Sequence, residues 1–275
     1  MAAADTGKAG PRPRRWPRRF AVARVVGITL LTAGVLLGGF VAYQLWVTSI
    51  FARHGQAGLQ AQLEARTAAA APALVPYEAD PGLDLSPIAL PTGLPDPAQI
   101  DLEAALQAAG LPPVSAGPAD AGGPVLVAES PPPDGDAVGR IRIPAAGVDW
   151  TVVEGVSPGD LRRGAGHMPG TAIPGQPGNA VISGHRTTYG APFFHLERLV
   201  PGDLITVTTV AGTHAYQVVQ SMVVGPTEMW VTEQWQGSWL TLTTCNPRFS
   251  ARQRLVVVAR LVGGPNAALL VEGAA

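Results

Sequence analysis

The chain contains a single cysteine, Cys245, within the stretch LTLTTCNPRFSARQRL at residues 240–255. Alternation along WLTLTTC places it on one face of a predicted strand, at the end where Asn246 and Pro247 stop the backbone pairing. The thiol can therefore reach a surface cleft. It is a small buried apolar group, a partner for an intermolecular disulfide, or a nucleophile, and composition does not choose among these roles.

A nucleophilic thiol needs a cation and a proton-transfer group close to it. Arg254 starts the next strand-like run, with Arg252 on the same face. If that strand pairs beside the cysteine strand, the Arg254 guanidinium lies near Cys245, favours the thiolate and can bind a developing oxyanion. His185 ends the strand-like run AVISGH, so, like Cys245, it is expected at the end of a strand, on the rim of the domain. On spacing alone, a structural cysteine stays an open alternative.

Of the other four histidines, two are interpreted as bystanders, and for the other two a structural role is favoured over a catalytic one. His54 and His214 are expected to be solvated, and His167 and His195 to make local hydrogen bonds. The histidines lack a ligand spacing such as HExxH, and there is no second cysteine, so the sequence predicts no metal and no other cofactor. The formal net charge of −1 gives no reason to expect a nucleic-acid partner.

The second half of the chain has the residue pattern of a β domain. Runs rich in Val, Ile and Thr follow one another from residue 136, separated by Gly, Pro and Asp. The predicted strands are 138–144, 148–155, 178–185, 203–210, 214–224, 239–245 and 254–261. Short connections without alternating long helices predict an all-β domain, a closed barrel of about 7–8 strands with short helical turns.

The N-terminal region predicts a membrane anchor. Residues 25–47 contain no charged residue in 23 positions, and a helix of that length spans roughly 35 Å, enough to cross a hydrocarbon core of about 30 Å. Arginines precede it, and Tyr43 and Trp46 stand near its outer end. The positive-inside rule therefore predicts a single-pass protein of the cell membrane, with the N-terminus cytoplasmic and the bulk outside. A cleaved signal peptide is the alternative, although its apolar core is normally shorter.

Alanine and proline dominate the region between the anchor and the β domain, which predicts a disordered, semi-rigid linker. Within it, residues 96–110 carry helix signals, with Asp96 as N-cap and Gly110 as a stop, and whether this helix docks on the domain stays open. The predicted organisation is a basic cytoplasmic tail (1–24), a transmembrane helix (25–47), an extracytoplasmic linker (48–135), a catalytic domain (136–262) and a C-terminal tail (263–275).

Three segments together resemble the sortase family: TLTTC at 241–245, RLVVVA at 254–259 and, upstream, SGHRTTYGAPFF. They are similar to the family's cysteine strand, arginine strand and histidine segment. The resemblance covers residues 136–262, and GHRTTYG and TTCNPRFSARQRL are most similar to class E, the housekeeping-type sortases of actinobacteria. An N-terminal anchor followed by an extracytoplasmic barrel fits the layout of that family.

The resemblance implies a cysteine transpeptidase. Cys245 would attack the threonine carbonyl of an LPXTG-like or LAXTG-like sorting signal, His185 would act as general acid and then base, and Arg254 would stabilise the oxyanion or hold the substrate backbone. Tyr189 is implied as a substrate-binding residue that accepts a hydrogen bond from the alanine N–H of LAXTG, and Thr244 as a residue lining the cleft. For both, a purely structural role is the alternative.

The implied partners are surface proteins that carry the signal, an amine of a peptidoglycan precursor, and the membrane. Calcium independence is expected because the loops hold only scattered acids. The alternatives are a pilin-polymerising sortase and a non-catalytic anchored binding module; an L,D-transpeptidase is disfavoured because TTCNP does not resemble its SHGC-type motif. The sequence leaves open the LAXTG or LPXTG preference, the native substrates and amine, and the oligomeric state.

Overall fold

The computed structural model describes residues 18–43, 47–80, 82–83, 87–94, 96–118 and 124–272. The chain divides into two units, Met1–Gln44 and Leu45–Ala275. Helix α1 (Arg18–Ala42) makes up the described part of the first, and its segment Val22–Ala42, with a mean hydropathy of 2.2, is long and apolar enough to cross a membrane. The basic tail before residue 18 and Trp46 lie outside the described residues, so those parts of the expected anchor stay predictions.

The second unit contains the remaining helices and all the described strands. The helices are α2 (Thr48–Ala69), α3 (Leu102–Ala108), α4 (Pro158–Leu161) and α5 (Ala267–Glu272). The strands are β1 (Ala73–Pro76), β2 (Val125–Ala128), β3 (Ala137–Ile143), β4 (Val148–Glu154), β5 (Gly166–His167), β6 (Gly178–Ser183), β7 (Leu204–Thr209), β8 (Gly212–Val224), β9 (Ser238–Asn246) and β10 (Gln253–Gly263). Single 3-10 turns lie at Pro97–Gln99, Pro144–Ala146, Leu196–Arg198 and Trp230–Thr232.

Eight strands close into a barrel in the order β10-β8-β7-β3-β4-β5-β6-β9. Neighbours are antiparallel except for the pairs β4–β5 and β6–β9, which are parallel. The predicted all-β closed barrel is confirmed, and each predicted strand appears near its expected bounds. Among the barrel strands, the sequence did not predict β5, which has two residues. It also did not predict β1 and β2, which form a separate two-stranded antiparallel sheet within the expected linker.

Alternation along β9 shows how the sequence fixes the register of the barrel. Leu240 and Leu242 are fully buried in the barrel interior, whereas Trp239, Thr243 and Cys245 on the opposite face are half-buried. Burying one such leucine stabilises the fold by about 1.5–3 kcal/mol. A slip of one residue would expose both leucines and move the thiol into the core, so the apolar pattern also decides where the thiol points.

The structure differs from the expected linker at residues 48–69, which form helix α2 rather than an extended spacer. The chain has no proline between residues 18 and 71, and this stretch is rich in Ala, Gln and Leu, which favour helix. Leu59 and Leu63 lie four residues apart on one face and pack against Ala137 and Val153 of the barrel. The proline content that predicted an extended spacer belongs to later residues.

Gln56 fastens α2 to the barrel. Its side-chain oxygen accepts a hydrogen bond from the Thr151 N–H (2.7 Å), and its amide nitrogen donates to the carbonyls of Thr151 and Arg163 (2.9 Å each). Thr151 lies on β4 before the two residues that pair with β5. The side-chain amide of Gln56 therefore satisfies the backbone N–H and C=O of Thr151, as a neighbouring strand would do at this edge of β4.

Other segments outside the predicted domain also pack on the barrel. Asp96 precedes a 3-10 turn instead of capping a helix, and Asp101 is the N-cap of α3, accepting from the Ala104 N–H at 3.1 Å. Pro97 opens the 3-10 turn, so the helix starts later than expected. Leu106 of α3 is buried, which shows that this helix docks, and Leu270 of α5 is buried as well, so the expected C-terminal tail is partly folded.

His214 is fully buried, which contradicts the expectation that it is solvated. A side chain at Gly175, whose φ is +87°, would overlap its imidazole, so the ring lies directly beneath that turn. Its Nε2 lies 3.4 Å from Thr209 Oγ1. Burial lowers the pKa of His214 to about 4, because the imidazolium would lose its hydration inside the barrel.

Acidification is expected to destabilise the protein through His214. Between about pH 6.5, where an unfolded histidine titrates, and the native value of about 4, the unfolded state binds more protons, so stability falls as the pH drops. The loss reaches on the order of 3 kcal/mol near pH 4. Denaturant titrations of the full-length protein in detergent at pH 7, 5 and 4 check this against His214→Gln, which is expected to have a shallower pH dependence. Equal slopes in the two proteins would contradict it.

Candidate active site

Cys245 lies near the end of β9 and is half-buried, with a free thiol. On β10, Arg254 is its direct antiparallel partner. Residues directly opposite in an antiparallel pair share one face, with Cβ atoms about 5 Å apart. The pairing that the sequence predicted between the cysteine strand and the arginine strand is therefore present, with these two residues in register.

His185 follows strand β6, which pairs with β9 on the side opposite β10. Strand β6 runs parallel to β9, with Ser183 opposite Thr243, and the hydroxyls of these two residues are hydrogen-bonded at 2.8 Å. Their contact shows that both side chains lie on the same face. Cys245 lies two residues further along β9, and His185 lies two residues beyond Ser183, just past the end of β6. If the alternation of side chains continues past the strand end, the imidazole and the thiol lie on the same face. Strands β9 and β10 thus set the cysteine opposite the arginine, and β6 ends two residues before the histidine.

The Arg254 guanidinium is hydrogen-bonded to the loop that joins β9 to β10. Its Nη1 donates to the carbonyl oxygens of Ala251 (3.1 Å) and Gln253 (3.0 Å). The side chain is partly exposed at the rim. The loop therefore holds this cation at the open end of the strand pair, where a charged or polar group of a ligand could displace these two bonds.

Tyr189 lies beside His185, as the sequence interpretation required. The two ring centroids are 5.1 Å apart, and the Arg162 guanidinium lies 5.8 Å from the tyrosine ring centroid. Burial lowers the pKa of His185, and the positive charge of Arg162 lowers it further. Both causes act in one direction, because each disfavours the imidazolium.

Removing the Arg162 charge is expected to raise the pKa of His185 towards its ordinary value. In Arg162→Gln, the limb of the pH–rate profile that reports His185 should therefore move to higher pH, and only part of the way back because burial is the larger cause. The measurement is kcat/KM for a sorting-signal peptide across the pH range, with the exposed Arg198→Gln as control. An Arg162→Gln profile that overlays the wild type would show that this charge does not act on the histidine.

The loop after His185 is held by α2. Tyr189 has a φ of +52°, and its N–H donates to Thr48 Oγ1 at 3.4 Å. Gly190 has a φ of +75°, and a side chain there would overlap the ring of Trp150 and touch Ala52 of α2. Helix α2 therefore contributes to the wall of the site, which the sequence interpretation missed because it treated this segment as linker.

Thr244 is buried on the interior face of β9, and its hydroxyl donates to the Gly184 carbonyl at 2.8 Å. This bond ties β9 to the residue before His185. The structure thus gives Thr244 a position in the support of the site, and its expected part in lining the cleft stays a prediction.

The other histidines occupy different surroundings. His54 is exposed on α2, and His167 is buried with its Nδ1 2.7 Å from a Glu154 carboxylate oxygen. His195 is half-buried, with Nδ1 3.4 Å from Nη2 of Arg248. His185 is thus the histidine that follows a strand paired with the cysteine strand. Within the described ranges, no group of three or more His, Cys, Asp or Glu residues could hold a metal ion.

One residue of the site was not predicted. Arg186 directly follows the histidine, is buried, and bonds to the backbone carbonyl of Cys245. A sequence signal was present, because an arginine in GHRTTYG stands next to the proposed proton carrier at a strand end. Only the folded register shows that its side chain reaches the cysteine strand.

Comparison with known proteins assigns most of the barrel to a family. Residues 141–262 match the Sortase domain family model. The chain is 32% identical over 144 residues to Sortase SrtE1 of Streptomyces coelicolor, and 32% identical over 117 residues to Sortase D of Bacillus subtilis. These matches cover 46% and 42% of this chain, but only 41% and 58% of the two relatives. A solved Clostridium perfringens Sortase D5 transpeptidase is 32% identical, with 47% of this chain and 81% of that chain covered and a TM-score of 0.44.

Proposed function

The chain carries a sortase domain at residues 141–262, and we propose that it is a membrane-anchored cysteine transpeptidase that cuts a sorting signal and joins the released protein to a cell-wall amine. The signal is of the LAXTG or LPXTG type and is cut between threonine and glycine. The observation that carries the proposal is the register of three adjacent strands. It sets Arg254 directly opposite Cys245 and pairs Ser183 with Thr243, two residues before His185 and Cys245.

In the first half-reaction, the Cys245 thiolate attacks the threonine carbonyl carbon, and a C–S bond forms. The resulting oxyanion collapses, the C–N bond to glycine breaks, and the leaving amine takes a proton from the His185 imidazolium. The product is a thioester on Cys245 and a free glycine-containing peptide. Both side chains are half-buried at the rim, so an extended peptide can reach them.

In the second half-reaction, an amine nitrogen attacks the thioester carbonyl. It gives up a proton to the His185 imidazole, the C–S bond breaks, and the thiolate is restored with a new amide as product. The lowered pKa of His185 favours the neutral imidazole, which is the form that this step needs.

Arg254 supplies the positive charge of the site. An arginine fork can donate to the oxyanion or to a substrate carbonyl, and either role requires it to exchange its bonds to Ala251 and Gln253 for the ligand. Tyr189 is proposed to accept a hydrogen bond from the backbone of the signal, a role supported by its ring lying 5.1 Å from that of His185. Thr244 supports the site through its hydrogen bond to Gly184, the residue before His185. A second proposed role of Thr244 is to line the cleft.

The anchor and the partners follow from the same proposal. The apolar segment Val22–Ala42 holds the protein in the membrane with its N-terminus in the cytoplasm, so the barrel acts on exported proteins outside. The substrates are surface proteins with C-terminal sorting signals, and the acceptor is an amine of a peptidoglycan precursor. Neither a metal nor another cofactor is needed for the two acyl transfers.

The test uses full-length protein in detergent with fluorogenic LAXTG and LPXTG peptides, with and without an amine acceptor. Wild type is expected to form an amine-joined product, which Cys245→Ala, His185→Gln and Arg254→Gln lose. The peptide preferred by the enzyme identifies the signal. Cleavage without amine transfer would defeat the transpeptidase assignment, and no cleavage of either peptide would favour the non-catalytic binding module.

A pilin polymerase is the second candidate within the same chemistry. It differs in the acceptor, which would be a lysine side chain of a folded pilin subunit. Supplying either a peptidoglycan-derived amine or a lysine-bearing pilin to the acyl-enzyme separates the two functions. Wall anchoring predicts faster resolution by the former.

A further inference from the structure

The ladder between the histidine strand and the cysteine strand ends before the two reactive side chains. The last pair of β6 and β9 is Ser183 with Thr243. One residue on, the Gly184 N–H donates to the Thr243 carbonyl at 3.0 Å, and Thr244 Oγ1 donates to the Gly184 carbonyl at 2.8 Å. His185 and Cys245 lie beyond this last strand pair. Their separation therefore depends on contacts other than the strand ladder.

Arg186 makes such a contact. Its side chain crosses from the histidine segment to the cysteine strand, where Nη1 donates to the Cys245 carbonyl oxygen at 3.1 Å and to Asn246 Oδ1 at 2.6 Å. The residue is only 6% exposed. Both of these bonds come from one terminal nitrogen of a planar, rigid guanidinium, so they hold the histidine segment at a fixed distance from the cysteine strand.

The buried charge of Arg186 is balanced by Glu197 on the 3-10 turn that follows the loop. Nη2 of Arg186 donates to Glu197 Oε2 at 3.1 Å, and the other oxygen of the same carboxylate accepts from Arg248. A buried cation is costly unless it is paired. Glu197 therefore allows Arg186 to stay buried, and the guanidinium joins three segments of the chain at one point.

We propose that Arg186 is a positioning residue, which holds His185 at proton-transfer distance from Cys245 by tying the residue after the histidine to the carbonyl of the cysteine itself. The inference rests on the proposed transpeptidase function. Arg186 has no part in the chemistry: it acts through the geometry of the other two residues. Displacing a reacting group by 1 Å costs about 100-fold in rate.

The experiment compares Arg186→Gln with Arg248→Gln in the full-length protein. Both arginines bond to Glu197, but only Arg186 bonds to Cys245. Arg186→Gln is expected to lower kcat about 100-fold and to change KM less than about 3-fold, because positioning is felt in the transition state. Arg248→Gln is expected to keep kcat within about 3-fold of wild type. Equal losses in the two variants would overturn the inference.

A second readout separates positioning from a purely structural role. The rate of Cys245 alkylation by iodoacetamide is measured against pH, and the inflection due to His185 is identified by its loss in His185→Gln. Arg186→Gln is expected to lose that inflection while it remains folded by circular dichroism. An inflection that persists in Arg186→Gln, or a wild-type profile without one, would overturn the inference, since the thiol and imidazole would not be coupled through this contact.

Two features keep the test decisive. If Arg186→Gln does not fold, Arg186→Lys keeps the charge but replaces the planar guanidinium, whose two terminal nitrogens bond to the cysteine strand and to Glu197, with a single ammonium. This variant is expected to lose about 10-fold in kcat and to weaken the inflection. Wild-type kcat in it would overturn the proposal. Alkylation needs no peptide, so it tests the position of the histidine even if wild type joins no peptide to an amine. Failure of wild type to join peptide to amine would defeat the proposed function but would leave the inference about Arg186 testable.

Discussion

Cys245→Ala is expected to abolish turnover of the sorting-signal peptide. Loss of a covalent nucleophile removes both half-reactions, and in enzymes that work through an acyl intermediate the cost is at least about 10⁴-fold in kcat. The thiol is half-buried at the rim of the barrel on the solvent side of β9, so alanine leaves only a small void and the fold is expected to persist. The measurement is initial-rate kinetics of the full-length variant with the fluorogenic peptide and amine.

Cys245→Ser is the matched control for this prediction. The hydroxyl has nearly the shape of the thiol, but it is a far weaker nucleophile at neutral pH. The serine variant is therefore expected to bind peptide with the KM or Kd of wild type and to turn over as poorly as the alanine variant. A Cys245→Ala protein that still joins peptide to amine would show that another residue is the nucleophile.

His185→Gln is expected to lower kcat by about 10²–10⁴-fold, the usual contribution of a positioned proton carrier. Glutamine keeps a hydrogen-bonding side chain of similar size but cannot protonate the leaving amine or deprotonate the incoming one. The loss is expected in both half-reactions, and pre-steady-state measurement of acylation and of amine transfer resolves them separately.

His195→Gln tests the choice of histidine. His195 stands in the same connecting segment, and its Nδ1 faces Arg248 rather than the cysteine strand. Its replacement is expected to leave kcat within about 3-fold of wild type, as for a substitution away from the reacting groups. A large loss in His195→Gln with little change in His185→Gln would reverse the assignment.

The barrel and the pairing of Arg254 with Cys245 were predictable from the sequence because each rests on a short-range pattern. Period-two alternation in WLTLTTC gives the buried face of β9 and so the direction of Cys245. A strand that follows after a short loop pairs with the one before it, which brings Arg254 opposite the cysteine. His185 was proposed because it ends a strand-like run and because its segment, GHRTTYG, resembles the histidine segment of sortases. Neither signal predicts that β6 pairs in parallel with β9.

Features set by long-range packing were not predictable in the same way. Strand β5 has two residues, too few for any periodicity, and it exists because β4 and β6 need a bridge to close the barrel. The burial of His214 depends on two glycine turns that lie over its ring, Gly175 and Gly264. The local sequence AGTHAYQ around it has the polar character of a hairpin end, which is why it indicated exposure.

Helix α2 was missed because the composition of residues 48–135 was averaged over the whole region. Prolines from residue 72 onwards made the whole region after the anchor appear to be spacer, although residues 48–69 contain no proline and carry Leu59 and Leu63 at helical spacing. The helix also reaches the loop of Tyr189. A protein truncated at residue 136 would lose this contact, so full-length protein is the appropriate material for each kinetic test.

The most direct measurement is the intact mass of full-length wild-type protein incubated with an LAXTG or LPXTG peptide in the absence of amine. The proposed mechanism predicts a mass increase equal to the acyl portion of the peptide up to threonine, located on Cys245 by fragmentation and released when amine is added. An unmodified Cys245 during ongoing cleavage of the peptide would contradict a covalent thioester, and with it the proposed function.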